Sequence, residues 1–281
     1  MRGLIVGGGG LRGAYSGGVI QRFMEVGPSS NYFDKFYACS VGVYPLVLML
    51  SGQTEINEAM WRHHVGGLGK LINPFNIFRR RPFLDLPYLL NVFRDFGFNA
   101  DAVATIGERL TVVVTDIATS KPGYLFPSSG EEVFQLMAAT SAVPRAHPPI
   151  NISGAWKTDG GLSDPIPIKR ALEDGCSEVV VVLNNPRIGN RGNDFLEKIL
   201  EKFPPLIFRK SKIPLKDMLQ IGKRMEEKAE ALMDNNPKIV VIRPSCNLPF
   251  SSLLDSSPKK INDAFDLGYE DGRLYTEDGL I

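Results

Sequence analysis

The sequence predicts an α/β fold, a three-layer α/β/α arrangement with a mostly parallel central sheet, and three observations lead to it. Short β-branched runs alternate with helix-like segments along the whole chain, as they do when helices cover a parallel sheet. The runs TVVVTDIA (111–118) and SEVVVVL (177–183) show little polar and apolar alternation, which is typical of strands buried on both faces. The 281 residues, 43% hydrophobic and 22% charged, have the composition of a globular protein.

The predicted elements alternate in order along the chain. Strands are expected at 4–6, 36–39, 110–116, 178–183 and 238–243, where β-branched residues cluster. Helices are expected at 14–26, 41–51, 55–64, 132–140, 168–174, 216–234 and 258–269. No repeat or linker divides the chain, so residues 1–281 are expected to form a single domain. Within it, 66–98 is rich in Gly, Pro, Phe and Arg and reads as a cap or insertion, and a second irregular stretch covers 184–214.

Charge, cysteines and hydropathy exclude several classes of protein. With 32 basic and 31 acidic residues the formal charge is +1, so no nucleic-acid partner is expected. The 3 cysteines lie far apart without metal-ligand spacing, which argues against a disulfide framework and a metal site. The first apolar run is too short for a signal peptide, and the longest, 41–50, is about half of a membrane-spanning helix. We therefore expect a cytoplasmic protein.

The stretch VGGGGLRG (6–13) lies between the first strand and the first helix. Gly8, Gly10 and Gly13 fit the pattern G-x-G-x-x-G of dinucleotide sites, but the second strand ends in Cys39-Ser40 where a ribose-binding acid is required. A P-loop is also excluded, because no Gly-Lys-Ser/Thr follows the glycines. The alternative is a loop whose backbone amides stabilise an oxyanion, and the local pattern fits both.

A candidate nucleophile follows the second strand. Ala38-Cys39-Ser40-Val41-Gly42 is a small-x-Ser-x-Gly sequence at a strand-to-helix junction, which is the context of a nucleophile elbow. The crowded turn requires small residues on both sides of the serine; Gly42 meets this requirement, and Ala38 stands where a glycine is usual. The other interpretation is that Ser40 only caps the following helix.

The base for this serine is expected to be a carboxylate. His147, in RAHPP, is more typical of a loop or packing residue, and His63 and His64 lie on a polar helical segment. Asp159 follows a short strand and precedes Gly160-Gly161, so it can sit in a tight loop beside a crevice. Partial burial would raise its pKa toward that of a general base. The alternative role for Asp159 is an Asx-turn residue.

Together these three motifs resemble the patatin-like phospholipases. The loop 7–13 is similar to the family's oxyanion loop Gly-Gly-Gly-x-x-Arg/Lys-Gly, and ATSAVP (139–144) is similar to its Ala-Ser-Ser-Ala-x-Pro segment. The likeness extends from about 3 to 272 and is to the bacterial, single-domain branch. Ala38 in the elbow and Ser16 in the first helix depart from the family pattern.

The resemblance implies a lipid acyl hydrolase that works through an acyl-enzyme and needs no cofactor. Ser40 and Asp159 would form a catalytic dyad, with oxyanion donors among Gly8, Gly9 and Gly10. The remaining motif residues would shape the site: Arg12 and Gly13 in the loop, Ala38 and Gly42 in the elbow, and Gly160 and Gly161 after the aspartate. Arg12 would either neutralise a carboxylate or face a lipid phosphate.

The sequence also predicts partners and is compatible with several rival functions. A lipid or ester is the expected substrate, and 74–93 is expected to make transient contact with a membrane surface through Phe75, Ile77, Phe78, Phe83 and the arginines 79–81. A packed cap with a solvated basic turn is the alternative, and 195–210 is a weaker membrane candidate. The rival functions are a non-catalytic lipid-binding protein on the same fold, a nucleotide-binding oxidoreductase, and a thioesterase or acyltransferase.

Overall fold

The computed structural model describes residues 1–27, 30–185 and 215–277. Its strands are β1 (Arg2–Val6), β2 (Lys35–Cys39), β3 (Leu110–Asp116), β4 (Pro122–Leu125), β5 (Ile150–Ile152), β6 (Ala155–Asp159), β7 (Glu178–Val182) and β8 (Ile239–Ile242). Its helices are α1 (Ala14–Val26), α2 (Val43–Ser51), α3 (Thr54–Ala59), α4 (Leu86–Asp95), α5 (Ala100–Ala104), α6 (Gly130–Thr140), α7 (Ile168–Glu173), α8 (Leu215–Asp234) and α9 (Pro258–Glu277). A π-helix, Met60–Val65, continues α3.

The strands form one 8-stranded sheet in the order β5-β6-β3-β2-β1-β7-β8, with β4 also paired to β3. From β3 to β8 all neighbours are parallel. Antiparallel pairing is confined to β4, β5 and β6 at the other end. The prediction of a mostly parallel sheet is therefore confirmed. Clusters of β-branched residues did not predict β4 and β5, because β4 begins with Pro122-Gly123 and neither strand is buried on both faces.

Helices cover both faces of the sheet, as the three-layer prediction requires. Leu4 and Val6 of β1 point into the larger core, which contains side chains of α1, α2, α6 and α9. Ile5, between them, points into a second core shared with α7 and α8. This alternation explains why apolar residues occur at successive positions of the strand, since each face of the sheet is buried.

The segment 66–98 packs against the larger core. It contains a 3₁₀ turn, Pro74–Ile77, and the helix α4, which the sequence did not predict. Its buried apolar side chains are Leu71, Ile72, Leu84, Leu86, Leu89, Leu90, Val92, Phe93 and Phe98. On the outside, Phe75 and Phe78 are 59% and 88% exposed. None of the described helices is long and apolar enough to cross a membrane.

The second irregular stretch, predicted at 184–214, is described only at its first two residues. The candidate membrane segment 195–210 lies outside the described residues.

Candidate active site

The nucleophile elbow and the Asp-Gly-Gly motif meet because β2 and β6 end against each other along β3. Cys39, the last residue of β2, pairs with Val113, and Asp159, the last residue of β6, pairs with Val114. β4 occupies the opposite edge of this part of β3, so β2 and β6 share one edge. β2 is parallel to β3 and β6 is antiparallel to it, so their carboxyl ends point at each other. Ser40, directly after Cys39, therefore lies beside Asp159.

Ser40 occupies a strained turn between β2 and α2. Its φ of 51° lies in the left-handed region, where a non-glycine residue costs about 1–3 kcal/mol. The neighbours hold this conformation: the Ser40 amide donates to Oγ1 of Thr140 at 2.7 Å, and Thr140 donates to a carbonyl of β3. A Cβ on Gly42 would collide with the carbonyl oxygen of Val6, so the close approach there requires glycine. Ala38 is fully buried in β2.

The serine hydroxyl and the aspartate are in direct contact. Oγ of Ser40 donates to Oδ2 of Asp159 at 2.7 Å, and Oδ1 of the same carboxylate accepts from the Gly161 amide at 2.8 Å. Burial raises the pKa of Asp159 to about 6, although the hydrogen bonds from Ser40 and Gly161 oppose this rise. Gly160 packs against Cys39 and β3. A carboxylate with this pKa can accept a proton near neutral pH.

The glycine loop borders the serine. A Cβ on Gly8 would lie 3.2 Å from Cβ of Ser40. Gly10 has a φ of 59° and lies against the backbone of Leu253, which excludes any larger residue. Among the described residues, no acceptor takes a hydrogen bond from the amides of Gly8, Gly9 or Gly10. These three donors are available to a bound group.

Asn184, just after β7, fixes the orientation of the loop. Its Nδ2 donates to the carbonyl oxygens of Gly7 at 3.0 Å and Gly8 at 3.2 Å, and its Oδ1 accepts from the Ser16 amide at 3.1 Å. In a trans peptide the carbonyl and the next N–H point in opposite directions. The amides of Gly8 and Gly9 therefore point away from Asn184.

Arg12 and Gly13 connect the loop to its surroundings. Arg12 is 9% exposed, and its Nη1 donates to Oδ1 of Asn185 at 2.7 Å. Gly13 packs directly on Val41 of the elbow, where a Cβ would collide. α1 begins directly after Gly13 and α2 follows the elbow, so two positive helix ends lie near Ser40.

The histidines lie away from this contact. Nδ1 of His147 is 2.6 Å from the carbonyl oxygen of Pro148, and burial lowers the pKa of His147. His63 is exposed on the π-helix, and none of the three histidines lines the cavity at Ser40. Among the described residues, no group of His, Cys, Asp and Glu side chains is arranged to hold a metal ion.

A cavity of about 220 Å³ opens over the Ser40–Asp159 contact. The glycine loop, Arg12 and the start of the stretch after β7 form one wall. α8 forms another wall and contributes Leu219, Gly222, Lys223, Glu226 and Glu230. The cavity thus has charged side chains on two sides, Arg12 and Asp159 beside the glycine loop and the serine, and Lys223, Glu226 and Glu230 on α8.

The chain matches the model of a known protein family. The model of the patatin-like phospholipase family matches residues 4–172, a range that includes the glycine loop, the elbow and Asp159. The chain belongs to the patatin-like phospholipase family.

The chain is also similar to a curated protein and to a solved structure. The chain is 24% identical over 188 residues to the uncharacterized protein YjjU of Escherichia coli (strain K12), which covers 65% of this chain and 52% of that protein. The chain thus spans about half the length of this curated relative. Among solved structures it is similar to VipD from Legionella pneumophila, with a TM-score of 0.47 and 12% identity over 99% of this chain and 67% of that chain.

Several residues of this patatin-like site were missed by the sequence analysis. Thr140 holds the elbow amide, Asn184 holds the loop, and α8 walls the cavity. Thr140 lies in the 139–144 segment that resembles the family, so that segment carried a signal. Asn184 and the α8 residues belong to no local pattern, because their roles arise only from long-range contacts.

Proposed function

We propose that this chain is a serine lipid acyl hydrolase of the phospholipase A or esterase type. The observation that carries the proposal is the 2.7 Å hydrogen bond from Ser40 to a buried carboxylate, Asp159, at a cavity that is also lined by three glycines whose amides donate to none of the described residues. A nucleophile, a base and oxyanion donors are the three components that acyl transfer requires. Membership of the patatin-like family supports a lipid substrate.

The reaction proceeds in two halves. The Oγ proton of Ser40 moves to Oδ2 of Asp159 as Oγ attacks the ester carbonyl, and the amides of Gly8, Gly9 and Gly10 stabilise the oxyanion. Each such donor typically contributes 10²–10³-fold in rate. Asp159 then protonates the leaving alcohol, which leaves an acyl group on Ser40. In the second half, water gives a proton to Asp159 and attacks the acyl-enzyme. As the tetrahedral intermediate collapses, Asp159 returns this proton to Oγ of Ser40, which frees the serine and releases the carboxylic acid.

A hydrolysis screen with labelling tests this proposal. Purified protein is incubated with phospholipids, monoacylglycerols and short nitrophenyl esters, and separately with a fluorophosphonate probe. We expect hydrolysis and labelling in the wild type, and loss of both in Ser40→Ala. Asp159→Asn should retain the fold, because an amide can accept from Gly161 and donate to Ser40, but lose hydrolysis. A wild type that is neither labelled nor active would favour a non-catalytic lipid-binding protein, and labelling that persists in Ser40→Ala would refute the nucleophile.

Thioesterase and acyltransferase activities share the same acyl-enzyme. They differ only in the leaving group and in the acceptor that attacks second. Acyl-coenzyme A substrates and alcohol acceptors in the same screen distinguish them from hydrolysis of oxygen esters.

We also propose that the turn 75–81 contacts a membrane surface. Phe75 and Phe78 are exposed, the arginines 79–81 are exposed beside them, and none of these arginines pairs with a described acid. Asn76 is buried and holds the turn through hydrogen bonds to Pro82 and Asp85 at 3.0 and 2.9 Å. Phe83 is partly buried and packs against the core, so the proposed contact relies on Phe75 and Phe78.

A further inference from the structure

The turn that carries Asp159 is attached to β3 by a buried hydroxyl. Thr115, near the end of β3, has no exposed surface, and its Oγ1 donates to the carbonyl oxygen of Asp159 at 2.7 Å. This bond adds to the pairing between β3 and β6, in which Thr115 lies opposite Thr158. The main chain of Asp159 is therefore fixed to the sheet by a side chain as well as by strand pairing.

Ser163 completes the attachment at the other end of the same turn. Its Oγ lies 2.8 Å from Oγ1 of Thr115, and its amide donates to the carbonyl oxygen of Gly160 at 3.0 Å. A hydroxyl has one proton to donate, and a carbonyl oxygen can only accept. The Thr115 proton therefore goes to Asp159, and Ser163 donates to Thr115. One side chain thus holds the turn 159–163 at both ends.

The hydroxyl of Thr115 has no role in packing that a methyl group could not fill. Three valines, 112–114, precede it, and a fourth valine would have nearly the same shape. A buried hydroxyl costs free energy unless it is hydrogen-bonded. Its two hydrogen bonds both go to the turn 159–163, and Thr115 does not line the cavity over Ser40. The position of this hydroxyl therefore relates it to the base, and not to the substrate.

The same strand also holds the nucleophile. Thr140 donates to the carbonyl oxygen of Val113 at 2.6 Å and accepts from the Ser40 amide at 2.7 Å. Val113 and Thr115 are two residues apart in β3, a spacing of about 6.6 Å along a strand. Two threonine hydroxyls thus connect the nucleophile and the base to one element of the sheet.

Both hydrogen bonds of the Asp159 carboxylate depend on the position of the turn. Oδ2 accepts from Ser40 at 2.7 Å, and Oδ1 accepts from the Gly161 amide, within the turn, at 2.8 Å. A displacement of the turn by about 1 Å would break this geometry, and such a misplacement can lower a rate by about 10²-fold.

We propose that Thr115 is a positioning residue for the reaction at Ser40: its hydroxyl fixes the main chain of Asp159 so that the carboxylate reaches the serine. Ser163 supports it by directing the Thr115 proton to Asp159. This inference rests on the proposed function and adds a residue that contacts neither the substrate nor the reacting atoms.

The test removes the hydroxyl of Thr115 and keeps its shape. Thr115→Val does this, and Thr115→Ser restores a hydroxyl. Tyr37→Phe is the matched control, because it removes another buried donor, to Asp174 at 2.9 Å, and Tyr37 does not line the cavity. Hydrolysis of 4-nitrophenyl butyrate gives kcat and KM, and kcat/KM is followed from about pH 4.5 to about pH 8.5. The rate of labelling by the fluorophosphonate probe is measured as well, because it depends on the same activation of Ser40.

We expect Thr115→Val to lower kcat and the labelling rate by about 10–100-fold and to leave KM unchanged, because the residue does not reach the substrate. All rates are referred to folded protein, which thermal unfolding measures. The rise of kcat/KM with pH should also move above about 6. The two hydrogen bonds to the Asp159 carboxylate lower its pKa and would weaken, whereas the burial that raises its pKa would remain.

The groups around Asp159 leave the direction of this shift unchanged. Cys39 and Tyr44, whose pKa values are raised by burial and further by the charge of Asp159, are uncharged near neutral pH. The charged side chains that line the same cavity are identical in every variant: Arg12, Lys223, Glu226 and Glu230.

Thr115→Ser and Tyr37→Phe should keep the wild-type kcat and pH profile, and Thr115→Val and Tyr37→Phe should both lower the melting temperature. If Thr115→Val does not fold, Ser163→Ala replaces it. This substitution frees the Thr115 proton from its fixed direction and should move the pH profile the same way by a smaller amount.

Three results would overturn the inference alone. They are a wild-type kcat and pH profile in folded Thr115→Val, an equal loss of kcat in Thr115→Val and Tyr37→Phe, and, where Thr115→Val is unfolded, a wild-type profile in Ser163→Ala. A wild type that is labelled but does not hydrolyse this ester leaves the labelling rate and its pH profile as the readout, with the same expected and contrary results. Loss of both labelling and all hydrolysis in the wild type would instead remove the proposed function.

Discussion

The hydroxyl of Ser40 donates to Oδ2 of Asp159 at 2.7 Å, although the two residues are 119 positions apart in the chain. Their contact follows from the sheet, because β2 and β6 end head to head along one edge of β3. Each residue comes at the carboxyl end of its strand, so the rigid sheet sets the distance between them. A site built on strand ends is held more firmly than one built on long loops.

The pH dependence of hydrolysis should follow the protonation of the Asp159 carboxylate. Burial raises the pKa of Asp159 to about 6, so below this pH the group is protonated and cannot accept the serine proton. We expect kcat/KM to rise with pH through about 6 and to level off above it. Asp159→Asn should lower the rate by about 10²–10⁴-fold. A profile that stays flat down to pH 4.5 would contradict this role.

Gly42→Ala should damage the elbow. The new Cβ would meet the carbonyl oxygen of Val6, so we expect a loss of about 1–3 kcal/mol in the free energy of unfolding and of most activity per folded molecule. Gly52→Ala is the control: its φ of 70° makes alanine costly by about 1–2 kcal/mol, but nothing lies near the new Cβ. Thermal unfolding measures the loss of stability in both variants, and active-site labelling shows which of them also loses activity. Full labelling in Gly42→Ala would argue against a strained elbow.

Asn184→Ala should lower kcat more than it changes KM. The substitution frees the carbonyls of Gly7 and Gly8, so the neighbouring amides lose their fixed direction toward the oxyanion. Asn57→Ala is the matched control, because this buried amide also donates two hydrogen bonds, to Gly17 and Gln21, away from the site. Both variants should lose stability, and only Asn184→Ala should lose kcat when rates are referred to folded protein. An equal loss of kcat in both variants would indicate that Asn184 has only a structural role.

Two buried tyrosines should respond oppositely to loss of the hydroxyl. Tyr44→Phe removes a group without a described partner, so the melting temperature should stay equal or rise. Tyr37→Phe removes a donor to Asp174 at 2.9 Å and should cost about 1 kcal/mol. Thermal unfolding in the absence of substrate measures both. A fall in Tm for Tyr44→Phe as large as that for Tyr37→Phe would show that the Tyr44 hydroxyl is paired in solution.

Binding to vesicles should depend on the arginines 79–81. Their triple substitution by glutamate should abolish co-sedimentation with vesicles that contain phosphatidylglycerol, because it reverses the charge beside the exposed Phe78. The control makes the same charge change at exposed lysines elsewhere, Lys121, Lys238 and Lys259. It should sediment like the wild type, and added salt should weaken wild-type binding. Identical sedimentation of the wild type, the arginine variant and the lysine variant would contradict the proposed membrane contact.

Local patterns were sufficient for much of the fold. The structure begins and ends α1 at the predicted residues 14 and 26, and β3 at 110 and 116, because both carry an unbroken apolar pattern. α4 was missed, since Pro87 and the surrounding aromatic and basic residues resemble a loop. Its helix is stabilised by burial of Leu86, Leu89 and Phe93 against the rest of the chain, which no local pattern shows.

The fold class could be predicted from local patterns, and so could Ser40, Asp159 and the glycine loop as candidates, because the elbow, the loop and Asp-Gly-Gly are short motifs with steric requirements. The contact between the serine and the aspartate, and the hydrogen bonds by which Asn184 holds the loop, are visible only in the folded chain. The physical reason is that burial, pKa and the pairing of polar groups depend on neighbours brought together by the sheet. Those neighbours are 100 and 119 positions from Ser40 in the chain.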